Sequence, residues 1–106
     1  MKLDKQNIIG SLKKDYQGFL AFLKSRYPLF HNSNFFFRDF QFGLRRYLEM
    51  KEISVNYSEA EKISKELIYF LEGERILFPI NSNTWKINYP EFTTVTPGDP
   101  FSKAIN

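Results

Sequence analysis

The sequence predicts an α+β fold: a three-helix core, a C-terminal β-hairpin and an extended C-terminal tail. Apolar residues recur at helical spacing through three successive segments between Ile9 and Leu71. Residues 76–80 and 84–89 then alternate about a polar tip, the pattern of two paired strands. Beyond residue 90 no period continues. At 106 residues, with 42% hydrophobic and 25% charged, the chain is long enough for one core and too short for two. Residues 1–90 are read as that single domain and residues 91–106 as the tail.

The first helix is expected over residues 4–26, with Ile9, Leu12, Tyr16, Phe19, Leu20, Leu23 and Tyr27 on one stripe. Lys14, Gln17 and Lys24 lie away from that stripe. Asp4 suits the N-terminal end, where a carboxylate meets the positive end of the helix dipole. Pro28 stops the helix by disfavouring helical backbone at Tyr27. Residues 30–34 read as a loop, with Ser33 or Asn34 as the next N-cap. The second helix covers residues 35–51, with Phe37, Phe40, Leu44, Tyr47 and Leu48 on its main stripe. Phe35 and Phe42 fall roughly opposite, in company with Arg38, Arg45, Arg46 and Glu49. This helix is apolar on two sides.

Ile53, Ser54 and Val55 have the makings of a short strand in the connection that follows. Ser58 and Glu61 match a capping box, with Ser58 accepting from the backbone and Glu61 reaching back. The third helix then runs to residue 72, with Ala60, Ile63, Leu67, Phe70 and Leu71 on one face, and Gly73 closes it in the left-handed conformation. In the hairpin, Ile76, Phe78 and Ile80 alternate, as do Trp85, Ile87 and Tyr89. Pro79 has no N–H to donate, so its strand lies at an edge. The tail offers Phe92, Val95 and Phe101 as its apolar residues.

Helix, helix, capped helix and hairpin in that order resemble the winged-helix superfamily over residues 35–89, at the level of topology. The residues that carry the likeness are the cap at Ser58, Gly73, and the hairpin with Trp85 on its return strand. Winged-helix families usually bind DNA through the helix before the wing; others of the same shape serve as protein-interaction modules. The helix that would read DNA carries Glu59, Glu61, Glu66 and Glu72 against Lys62 and Lys65, a poor surface for phosphates. The wing tip, Asn81-Ser82-Asn83, is uncharged.

Composition narrows the function classes. With no Cys, disulfides, thiolate metal sites and cysteine nucleophiles are excluded; with one His, so is any His-pair metal motif. No catalytic set, metal site or cofactor site is expected. The apolar run at residues 19–23 is far short of the about 20 residues a membrane span needs. Asp4, Lys5, Gln6 and Asn7 interrupt any signal-like start, and a cytoplasmic location is expected. Residues 1–53 carry ten Lys/Arg against five Asp/Glu, and residues 54–106 carry five against seven, so the front half is the basic one.

The unusual quantity is aromatic: eight of 12 Phe fall between Phe19 and Phe42, more than one helical stripe absorbs. Phe35, Arg38, Phe42, Arg45 and Arg46 are the candidate partner-binding face, because Phe and Arg are the anchors of protein interfaces. A packing alternative stands beside it, in which Phe22 and Ile8 cover Phe35 and Phe42 and leave Arg45 and Arg46 exposed. Lys13, Lys14, Lys62, Lys65 and Lys86 are candidate contacts for an anionic partner. The function expected is a non-enzymatic accessory or adaptor protein docking on a larger protein; the alternative is a winged-helix nucleic-acid-binding regulator.

Overall fold

A computed structural model describes residues 4–27 and 29–92 of the chain. Elements follow in the order α1 (Lys5–Lys14), α2 (Tyr16–Arg26), β1 (Asn34–Phe36), α3 (Phe37–Met50), α4 (Tyr57–Gly73), β2 (Leu77–Asn81) and β3 (Thr84–Ile87). A short 3₁₀ turn at Pro90–Phe92 ends the described residues. The fold is α+β, with four helices and one three-stranded antiparallel sheet among the described residues. None of those helices is long and apolar enough to cross a membrane.

The single first helix expected from the stripe is two helices. Asp4 caps α1, its carboxylate accepting from the Asn7 N–H at 2.9 Å. The chain leaves helical geometry at Asp15 (φ −121, ψ 43) and restarts at Tyr16. The stripe stays in phase across the break, but α1 packs on α4 whereas α2 packs on α3, so the axis must turn between them. Gly18 leaves the space into which the Asp15 carboxylate fits; a Cβ there would lie 2.7 Å from its Oδ2. Tyr27 is extended (φ −130, ψ 151), as a residue before proline prefers. Pro28 itself lies outside the described residues.

The second correction concerns Phe35. Residues 34–36 form a strand, so α3 begins at Phe37 and not at Phe35. Alternation along β1 turns Phe35 into the core at 4% exposure and leaves Asn34 and Phe36 outside. β1 joins the hairpin, giving the order β1-β3-β2 with Phe35 opposite Trp85. The Asn32 N–H donates to the Ile87 carbonyl at 2.6 Å and the Ile87 N–H to the Ser33 carbonyl at 2.9 Å, extending that pairing.

The hairpin is present, and Pro79 stands on β2, an edge strand whose ladder shifts register between Pro79 and Asn81. Ile76 and Leu77 are buried, while Phe78 and Ile80 face outward: Ile76 precedes the strand, and the inward side of β2 starts at Leu77, so the expected alternation of Ile76, Phe78 and Ile80 on one face does not hold. The hairpin tip is fastened to the helices: the Phe37 N–H donates to the Asn83 carbonyl at 2.9 Å. Trp85 Nε1–H donates to Glu72 Oε2 at 2.7 Å, joining β3 to α4.

Both ends of α4 lie elsewhere than expected. Its capping box is Asn56 with Glu59, at 2.8 and 3.0 Å, two residues before the Ser58–Glu61 pair. Val55 and Ala60, both buried, stand at the positions of a hydrophobic staple for this earlier start. At the other end Gly73 remains helical, and Arg75 takes the left-handed conformation (φ 61). Arg75 N–H bonds the Glu72 carbonyl and Ile76 N–H the Leu71 carbonyl, the two bonds of a Schellman motif. α3 ends the same way at Glu52 (φ 62) and Ile53, and residues 53–55 form no strand.

The core gathers Phe19, Leu20, Leu23, Phe35, Phe40, Leu44, Leu67, Leu71, Ile87 and Phe92 with their neighbours. Phe19 meets Phe40 edge-on, their ring centroids 5.3 Å apart, and is wholly buried, an arrangement contributing about 1.5–3 kcal/mol per such side chain. Phe92, expected in the tail, belongs to this core. Residues 93–106, including Val95 and Phe101, lie outside the described residues.

Candidate interaction surface

Helix α3 is built to bury one face and present the other. Phe40, Gly43, Leu44, Tyr47 and Leu48 are buried. Gly43 lets α2 come close, since a Cβ there would overlap Leu23 Cδ2. On the opposite side Arg38, Gln41, Phe42, Arg45, Arg46 and Glu49 follow one another at helical spacing. Phe42 is 46% exposed and Met50, beyond them, 60%.

The start of α4 completes this face. Tyr57, first residue of α4, is 65% exposed, and its carbonyl accepts from Gln41 Nε2 at 3.2 Å. The Arg45 guanidinium lies over the Tyr57 ring at 4.2 Å, and that of Arg46 over the Phe42 ring at 5.4 Å. On α2, Arg26 covers Phe22 at 5.1 Å, and Phe22 in turn packs against Tyr47 of α3. An open depression of about 380 Å³ lies among Arg38, Asp39, Gln41, Phe42 and Tyr57.

Charge on this face is uneven. Arg46 reaches Glu49 at 3.6 Å, an exposed contact of the kind worth little. Arg26, Arg38 and Arg45 make no ion pair among the described residues. The Arg45 Nε–H is shielded from water and has no acceptor. Burial raises the Tyr27 phenol above its ordinary value, with Asp39 adding to the rise and Arg26 and Arg46 opposing it. Those three charges from α2 and α3 therefore share one neighbourhood.

Of the five residues read as the partner-binding face, Arg38, Phe42, Arg45 and Arg46 stand together. Phe35 does not: it is in the core, its ring 5.8 Å from Phe40 and 6.4 Å from Tyr27. The packing alternative thus describes Phe35, though with other neighbours, and does not describe Phe42. Tyr57 is not among those five, because a helix capped at Ser58 leaves it in the preceding connection. The signal lay in Asn56-x-x-Glu59, which makes Tyr57 the first helical residue and the one beside α3.

The candidate anion contacts are dispersed. Lys62 and Lys65 share a depression of about 390 Å³ with Lys5, Glu66 and Tyr69, and Lys65 is held by Glu61 at 3.1 Å. Lys13 extends over Phe70 at the end of α1, beside exposed Lys14, and Lys86 stands on the outer face of the sheet opposite Asn34 and Phe78. Lys24 is no solvated cation: half-buried, it donates to the Leu29 carbonyl at 2.6 Å between the rings of Phe30 and Phe92.

A wider cleft of about 480 Å³ runs between α4 and the hairpin, lined by Phe37, Ile68, Tyr69 and Trp85. Its carboxylates are engaged, Glu61 by Lys65 and Glu72 by Trp85. The α3 face is where unmatched charge and exposed rings coincide. No family model, curated protein or solved structure matches this chain.

Proposed function

We propose that this chain is a non-enzymatic adaptor or accessory domain of winged-helix-like shape that docks on a larger protein through the exposed face of α3. The observation that carries the reading is the coincidence of two exposed rings, Phe42 and Tyr57, with arginines laid over them beside an open depression. Rings and arginines of this kind, removed from water at the centre of a contact, supply most of the energy of protein interfaces. The shape is supported by the succession of two helices, a capped helix and a hairpin. A chain without Cys fits a reducing compartment, and the cytoplasm is the proposed location.

Nucleic-acid binding through α4 is the weaker reading. Its support is the group Lys5, Lys62 and Lys65 around Tyr69, but Glu66 shares that depression and Glu61 already neutralises Lys65.

The test is affinity capture from extract with the tagged full chain and with the Phe42→Ala/Arg45→Ala double variant, folding of both checked by circular dichroism. The parent retains a discrete partner that the double variant loses by tenfold or more, on the order of one truncated interface anchor. A monomer that retains nothing, or equal capture by the two chains, overturns the reading.

A further inference from the structure

Resting on the docking role just proposed, we infer that the segment seated on α3 is acidic: a stretch of protein carrying Asp or Glu beside an apolar side chain. The carboxylates bond Arg38, Arg45 and Arg46, and the apolar group enters the depression beside Phe42 and Tyr57.

The choice of cation is the first argument. Four of the chain's five arginines, Arg26, Arg38, Arg45 and Arg46, lie at the end of α2 or on α3, and no Lys occurs from Phe37 to Met50. Guanidinium offers a planar fork that meets a carboxylate with two parallel bonds, whereas ammonium acts as a point charge. A guanidinium resting on a ring is held by its face and keeps its N–H edge for such a partner. Arg45, half-withdrawn from water over the Tyr57 ring, presents its charge to a carboxylate in surroundings that screen less than open solvent.

Charge complementarity is the second argument. Against those four cations the face sets only Asp39 and Glu49, and Glu49 is engaged by Arg46. A strand of nucleic acid is disfavoured by two features. Asp39 stands in the depression, where a continuous phosphate backbone would meet it. One face of each ring, Phe42 and Tyr57, is taken by Arg46 and Arg45, which leaves bases fewer faces on which to stack.

The experiment is selection of a displayed library of random short peptides on the immobilised full chain, followed by titration of the most enriched peptide. Oligo-dT is titrated in parallel. Enriched sequences are expected to carry Asp or Glu beside an apolar residue. Affinity should fall about tenfold for Arg38→Ala or Arg46→Ala, both at exposed positions, and Arg38→Lys should restore it only in part. Enrichment of neutral or basic sequences, no enrichment, or acidic peptides indifferent to these changes overturns the inference. So does tighter binding of oligo-dT, which would assign the face to nucleic acid. If neutral peptides are selected while the Phe42→Ala/Arg45→Ala variant still loses its captured partner, the docking role stands and only the acidic partner fails.

Discussion

Arg75 occupies a backbone position that most side chains avoid, and its neighbours explain why. The Schellman motif at the end of α4 needs a left-handed residue between two buried apolar ones, Leu71 and Ile76. That apolar pair decides where the chain turns, and it sets the left-handed residue two positions beyond Gly73, the last helical residue. A non-glycine residue with φ 61 carries strain of about 1 kcal/mol. Arg75→Gly should therefore raise stability by about 0.5–1 kcal/mol in chemical denaturation followed by Trp85 fluorescence. A loss of stability would show that the Arg75 side chain contributes more than its backbone strain removes. Glu52 repeats the arrangement between Leu48 and Ile53. The signal in the sequence was the apolar pair five residues apart, which glycine placement obscured.

At the scale of elements, the α4 cap offers a direct comparison. Asn56→Ala removes the acceptor for the Glu59 N–H and should cost about 1 kcal/mol, whereas Ser58→Ala, inside the first turn, should change stability by no more than about 0.5 kcal/mol. Thermal or urea unfolding of the two variants measures this; equal losses would return the helix start to Ser58. Most of the architecture was legible: the α3 stripe, the core face of α4, the hairpin and its edge proline. Two features were not, for physical reasons. β1 is three residues long and its partners lie at Thr84–Lys86, so its pairing leaves no local trace. Three consecutive phenylalanines satisfy any period, so Phe35 fits the reverse side of a helix beginning at residue 35 as readily as a strand. The break at Asp15 is equally silent, because apolar residues stay in phase while the helices on either side rest on different partners. Within the candidate surface, Arg38, Phe42, Arg45 and Arg46 share one side of α3, a placement that follows from periodicity alone. Phe35 failed with the strand, and Tyr57 with the misplaced cap.

Over the whole molecule, the aromatic excess divides into a core and a surface. Phe19, Phe35, Phe40, Tyr47, Trp85 and Phe92 are buried, whereas Phe30, Phe36, Phe42, Tyr57, Tyr69 and Phe78 stay largely exposed. Of the exposed rings, Phe42 and Tyr57 lie beneath arginines on one face, and Phe36 and Phe78 lie on the sheet. The four arginines of the basic front half thus lie on α2 and α3, on a surface joined by the first residue of α4. The measurement that tests this most directly is photo-crosslinking in cells, with a photoreactive phenylalanine analogue placed at position 42 or, as a control of similar exposure, at position 78. One discrete adduct should form from position 42, weaken when Arg38→Ala and Arg46→Ala are introduced, and be absent from position 78. No adduct at position 42, or the same adducts from both positions, would contradict the account.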